Sequence, residues 1–293
     1  MTTIEETAAK TTAAFRPTGT FGFWTEFRRQ ATRRRTQLAL GFMVVLPLLV
    51  LGAFQLNSGD NGDNGGRRGQ FSSLVNLATA GGLNFALFTV FVSAGFLLVV
   101  VVALFCGDTV ASEASWGSLR YLLAIPVPRG RLLAVKLAVS LAYCLVAMVV
   151  LLGTALAAGS LRYGWHPLQS TIAGEIPSGS ALLRLLGIMG YIAVVLLVVA
   201  GLAFLLSVLT DAPLGAVGGA VLLWILSSIL DQITALGRIR SFLPTHFADA
   251  WLGLLSNPMQ TDNLVRGCIA ALGYAVVFFS LAWWRFLRKD IVS

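Results

Sequence analysis

Residues 182–209 read LLRLLGIMGYIAVVLLVVAGLAFLLSVL, with a single charge at Arg184. As a helix this run is longer than the roughly 30 Å hydrocarbon core of a bilayer, so it either tilts or begins outside the membrane. Five other apolar runs lie at 38–56, 84–106, 132–158, 212–231 and 267–286. Pro47 sits inside the first of them, where neighbouring helices can satisfy the carbonyl it frees. The composition agrees. Hydrophobic residues make up 57% of the 293 and charged residues only 12%, against about 25% in soluble domains. Mean hydropathy is +0.81. The expected fold class is an all-α membrane protein with six transmembrane helices.

The flanking segments refine this picture. Residues 1–20 are polar and Thr- and Ala-rich, and are expected to form a disordered tail. Over 21–36, Phe21, Trp24, Phe27 and Ala31 recur at spacings of three and four, and Arg28, Arg29, Arg33, Arg34 and Arg35 fill much of the rest. That pattern suits an amphipathic helix lying in the membrane interface, and also a basic flank for the first span. The first apolar run starts near Leu38, after a long basic stretch, and reads as an uncleaved span. Asn57–Gln70, NSGDNGDNGGRRGQ, has nothing to bury and is expected to be disordered. The segment 232–266 is less polar, is interrupted by Pro244 and Pro258, and fits short helices at the outer surface.

Charge sets the expected orientation. With both termini cytoplasmic, fourteen of the 21 Lys and Arg lie inside and seven outside. Trp283, Trp284, Arg285, Arg288 and Lys289 anchor the inner end of the last span. The net charge of +8 would suggest nucleic acid in a soluble protein, but beside apolar runs it points to anionic lipid headgroups. Cys106, Cys144 and Cys268 have no CxxC spacing and read as small buried hydrophobes.

The linker after the second run carries the functional information. Residues 107–129 read GDTVASEASWGSLRYLLAIPVPR, with acidic Asp108 and Glu113 early, Arg120 late, and Pro126 and Pro128 as stops. Gly117 can divide the segment into two short helices. An amphipathic lever gripped by a soluble partner and a charged turn between two spans both fit this pattern.

Asp108, Glu113, Gly117-Ser118-Leu119, Leu122-Leu123, Pro126-Val127, Arg129 and Val135-Lys136, in that order, resemble the loop of the ABC-2 type transporter permeases. Leu243-Pro244-Thr245-His246-Phe247 is similar to a second family stretch. Ser118 stands where the family usually has threonine. The resemblance implies a type V exporter-like fold of six spans, an N-terminal interfacial helix that includes Trp24, Phe27, Arg28 and Arg29, and a cytoplasmic coupling helix over about 108–125. Asp108, Glu113, Gly117, Arg120, Pro126 and Arg129 would then be the ATPase-coupling residues. It also implies plasma-membrane localisation and a second permease subunit, identical or homologous. Two copies of a separate ABC ATP-binding subunit would carry the ATP and Mg, leaving no cofactor in this chain. The cargo would be amphipathic, lipid-like or drug-like and would move outward.

Rival classes follow from what the sequence lacks or leaves open. It contains no GxxxxGK[ST] loop, no HExxH and no paired carboxylates in mid-span. That weighs against a membrane enzyme and against an ion-coupled secondary transporter. A membrane immunity or sensor subunit on the same fold remains an alternative. Gly215 and Gly219 form a GxxxG at the start of the fifth run, which fits a dimer seam or packing within one subunit. The topology makes one direct prediction: a cysteine at Asn64 should react with external, membrane-impermeant maleimide. Labelling solely from the cytoplasmic side would reverse the topology.

Overall fold

The computed structural model describes residues 22–57, 75–115, 128–170 and 174–288. The expected tail at 1–20 and most of the loop at 57–70 lie outside these residues. The described chain is almost entirely helical. Six of its helices are long and apolar enough to cross a membrane, and the chain is a multi-pass membrane protein.

A short α1, Phe23–Ala31, precedes α2, Arg34–Asn57. Next come α3, Gly82–Ala94, and α4, Leu97–Ser115, separated by a two-residue interruption at Gly95 and Phe96. α5 runs Arg129–Tyr163. A small antiparallel hairpin follows, β1 Leu168–Ser170 with β2 Gly174–Ile176, in which Gln169 pairs with Glu175. α6, Ser178–Leu209, and α7, Pro213–Gln232, are joined by a tight turn in which the Ala212 amide donates to the Thr210 hydroxyl at 3.1 Å. Two 3-10 segments, Thr234–Phe242 and Ala250–Leu255, lead into α8, Asp262–Arg288.

Two differences from the sequence reading bear on the site. The run read as one span over 84–106 is two helices, and the second extends nine residues past 106, to Ser115. The basic segment over 21–36 is likewise divided: α1 ends at Ala31, and Arg34 already belongs to α2. The hairpin had no counterpart in the sequence reading. Its strands are three residues long, too short to show a period.

α6 sits at the centre, packed most extensively on α8, α4 and α7. α5 is the second hub and carries α2, α3, α4 and α1. α4 touches both hubs, and most of its length is buried. α2, α7 and α8 turn apolar side chains outward, among them Leu48, Leu222, Ile229, Ile269 and Val276, as helices that face lipid must.

Both described termini lie at one end. Gly130, at the start of α5, lies so near α8 that an added Cβ would be 3.2 Å from the Trp283 ring. At this basic end the Arg288 guanidinium lies 4.7 Å from the Trp284 ring centre, a cation–π contact.

The far end is tied by polar contacts. The Asn84 side chain donates to the Gln169 carbonyl at 2.8 Å and accepts from its amide at 3.0 Å. Arg184 donates to the carbonyls of Leu254 and Ser256 at 3.1 and 3.3 Å, fastening the second 3-10 segment to α6. α3 and α5 cross so closely that a Cβ on Gly159 would meet the Gly82 carbonyl at 2.9 Å. Gly159→Ala should therefore cost about 1–3 kcal/mol by overpacking. Gly153→Ala, with nothing within 4 Å, should be neutral or slightly stabilising. Thermal unfolding in detergent tests both, and equal midpoints would refute the close crossing.

Candidate functional site

At the basic end, four cationic side chains from α1, its connection to α2, α2 and α5 face three carboxylates from α1 and α4. Asp108 and Glu113 lie on the last turns of α4 and are 5% and 2% exposed. Lys136, on the second turn of α5, is 2% exposed. Its ammonium lies 2.6 Å from Glu113 and 3.4 Å from Glu26. Arg29 on α1 bridges Glu26, at 2.8 Å, and Glu113. Arg33 sits 3.8 Å from Asp108 and 3.9 Å from Glu113, and Arg35 pairs with Asp108 at 2.5 Å.

Isolated charges at this depth would be costly, and the network is what makes the burial tolerable. Partial burial works to lower the Arg29 pKa, but Glu26 and Glu113 outweigh it and raise it above the ordinary arginine value. Arg29 therefore stays charged at any physiological pH.

Polar contacts extend the knot into the bundle. The Thr109 and Ser140 hydroxyls meet at 2.6 Å, joining α4 to α5. Ser207 on α6 accepts from the Val110 and Ala111 amides at 3.0 and 2.9 Å. On α1, Phe27 stacks on Tyr143 with ring centroids 4.5 Å apart, and the Tyr143 hydroxyl donates to the Phe27 carbonyl at 2.7 Å.

The sequence-derived residues fall as follows. Asp108 and Glu113, assigned by sequence to a linker helix, are instead buried in α4, because basic side chains on both sides neutralise them and let the helix continue inward. Arg129 is exposed at the first position of α5. Gly117, Arg120 and Pro126 lie outside the described residues, in the segment that leaves directly from the knot.

The interfacial residues divide between two faces. Trp24 and Arg28 are exposed, while Phe27 packs inward and Arg29 pairs with carboxylates. The most buried face of α1 carries Glu26 and Gln30, not the aromatics. On α7, Gly215 is exposed and Gly219 lies against Leu206 of α6, while the buried small residues are Ala216 and Ala220. α4 approaches α7 there at Gly107, where a Cβ would lie 3.0 Å from the Val217 side chain.

A family model described as "Protein of unknown function (DUF2705)" matches residues 40–292. The chain belongs to this family. No curated protein matches it. The DUF2705 match takes in Asp108, Glu113 and Lys136 and begins after α1, so the knot joins residues inside and outside the matched stretch.

Sequence reasoning missed Lys136 as a buried partner and Glu26 altogether. The available signal was the acid in α1's first turn, Glu26, among so many arginines. It also missed Asp231, which accepts from His246 Nδ1 at 2.7 Å in the tautomer that protonates that nitrogen.

At the far end, Asp231, His246 and Asp249 line a cavity of about 370 Å³ in this DUF2705 protein. Desolvation at its rim, reinforced by Asp231, raises the Asp249 carboxyl above its usual range. Among the described residues no group of three or more His, Cys, Asp or Glu is placed to hold a metal ion.

The knot generates a double-mutant test. Lys136→Met should destabilise by about 3–5 kcal/mol, because it leaves buried carboxylates without their ammonium. Adding Glu113→Gln should recover part of that loss, with a coupling energy above about 1 kcal/mol. Strictly additive shifts in unfolding midpoint would dismiss the pair.

Proposed function

We propose that this protein is the membrane subunit of an ABC-2 type, ATP-driven exporter. In this reading both termini are cytoplasmic in the plasma membrane. Two permease chains, identical or homologous, build the path, and two copies of a separate ABC ATPase dock on the segment between α4 and α5. ATP and Mg belong to the ATPase, and this chain carries out no hydrolysis. The cargo is an amphipathic molecule moved outward.

The observation that supports this best is the buried knot at the root of the 116–127 segment. A push on that segment reaches Glu113 at one side and Lys136 at the other. Because both are ion-paired to each other and to α1, the ends of α4 and α5 move as one body with α1. Ser207 carries the displacement on to α6, the central helix. A flexible charged turn would lose the push in local bending, whereas a cross-braced root transmits it.

The motif residues, which follow one another along the sequence as in the permease family, and the six apolar helices give further support. Mild-detergent extraction of the native complex should recover a P-loop ATPase in equal amount with the chain. Arg120→Glu should lower that recovery at least tenfold while insertion is unchanged. Recovery of the intact assembly from native membranes with no nucleotide-hydrolysing companion would overturn the proposal.

A further inference from the structure

We infer that the far-end cavity is a binding site for an organic cation with an aromatic or aliphatic body. The cavity lies between α3, α6, α7 and the segment that follows α7, and encloses about 370 Å³. That is within the usual size range of small-molecule sites.

Its walls are of two kinds. Asp231, Asp249 and His246 supply charge and polarity, and Trp224, Trp251 and Phe91 supply aromatic surface. Trp224 and Trp251 are 6% and 2% exposed, so their positions are fixed by packing. Ser227 and Thr245 meet at 2.8 Å and hold α7 to the segment that bears His246. Tyr191 donates to the Phe247 carbonyl at 2.5 Å and holds the same segment to α6. The site is thus built by long-range contacts and does not rest on one mobile loop.

The charge balance selects the ligand. Asp231 already has His246 at 2.7 Å and Arg240 at 3.6 Å. Asp249 brings a second carboxylate to the same cavity. An anion would face both carboxylates, whereas a cation would complete the pairing and could rest against indole faces. A second recess of about 200 Å³, lined mainly by leucines and Phe88, shares Phe91 and Trp251 with the first. Those two rings lie 6.0 Å apart between centroids. Phe91 and Trp251 thus form a continuous aromatic wall on which the apolar body of a cation can lie.

This inference stands apart from the permease proposal, because binding is read on the isolated chain with neither ATPase nor nucleotide. The full-length protein in phosphatidylcholine nanodiscs is titrated with phenyltrimethylammonium by calorimetry. Benzenesulfonate, similar in size and opposite in charge, serves as the comparison. The expected result is saturable binding of the cation, at least tenfold tighter than the anion, and weakened at least tenfold in Asp249→Asn. Asp249 is exposed at the rim, so the variant should keep the wild-type unfolding midpoint. Equal binding of the two probes, undiminished binding in a folded Asp249→Asn, or no saturable binding would each overturn the inference.

Discussion

Removing Glu113 and Lys136 from water is the constraint around which the basic end is organised. Neither can be buried without counter-charge, and each is 98% enclosed with the other beside it. The remaining charges follow from that pair. Glu26 and Arg29 bring α1 onto it, and Arg33, just before α2, and Arg35, in its first turn, reach Asp108 one and a half turns earlier on α4. α1 has too few apolar contacts to fix itself by packing alone, and ion pairs with the Phe27–Tyr143 stack hold it. The result is a cap across four helices, α1, α2, α4 and α5, beside the last described residues of α4.

The spans were legible because each apolar run is long and nearly free of charge, and lipid demands that pattern whatever the tertiary arrangement. The ends of the helices were less so. The run over 84–106 reads as a single span, with Asp108 in the linker that follows it, whereas α4 runs on to Ser115. It continues because the charges that neutralise Asp108 come from residues 33 and 35, more than seventy positions away. Local sequence does not carry such information. The same reason hid the burial of Lys136, which reads as an ordinary basic flank until Glu26 and Glu113 are placed beside it. The arginine-rich face of α1 was visible as periodicity, but which of its faces meets lipid and which meets protein was decided by partners on α4 and α5.

The two ends of the bundle solve opposite problems with similar side chains. At the basic end the charges neutralise one another inside a closed network. At the far end Asp231, His246 and Asp249 border an open chamber, with the Trp224 indole from α7 and the Trp251 indole from the second 3-10 segment beside them. The far end was legible mainly as composition, an apolar segment with two prolines. The meeting of Asp231 on α7 with His246 fifteen residues later depends on how the 3-10 segments fold back, which periodicity cannot show.

The interruption at Gly95 and Phe96 divides one apolar run into two helices. α3 is fixed above it by the crossing at Gly159 and by the Asn84 bracket, and α4 is fixed below it by the ion pairs and by Ser207. Two stiff rods thus meet at a point whose inner surface, Phe91, Ala94 and Gly95, is also chamber wall. The chamber wall is therefore set at the seam between two helices that are fastened separately, one toward each end of the bundle.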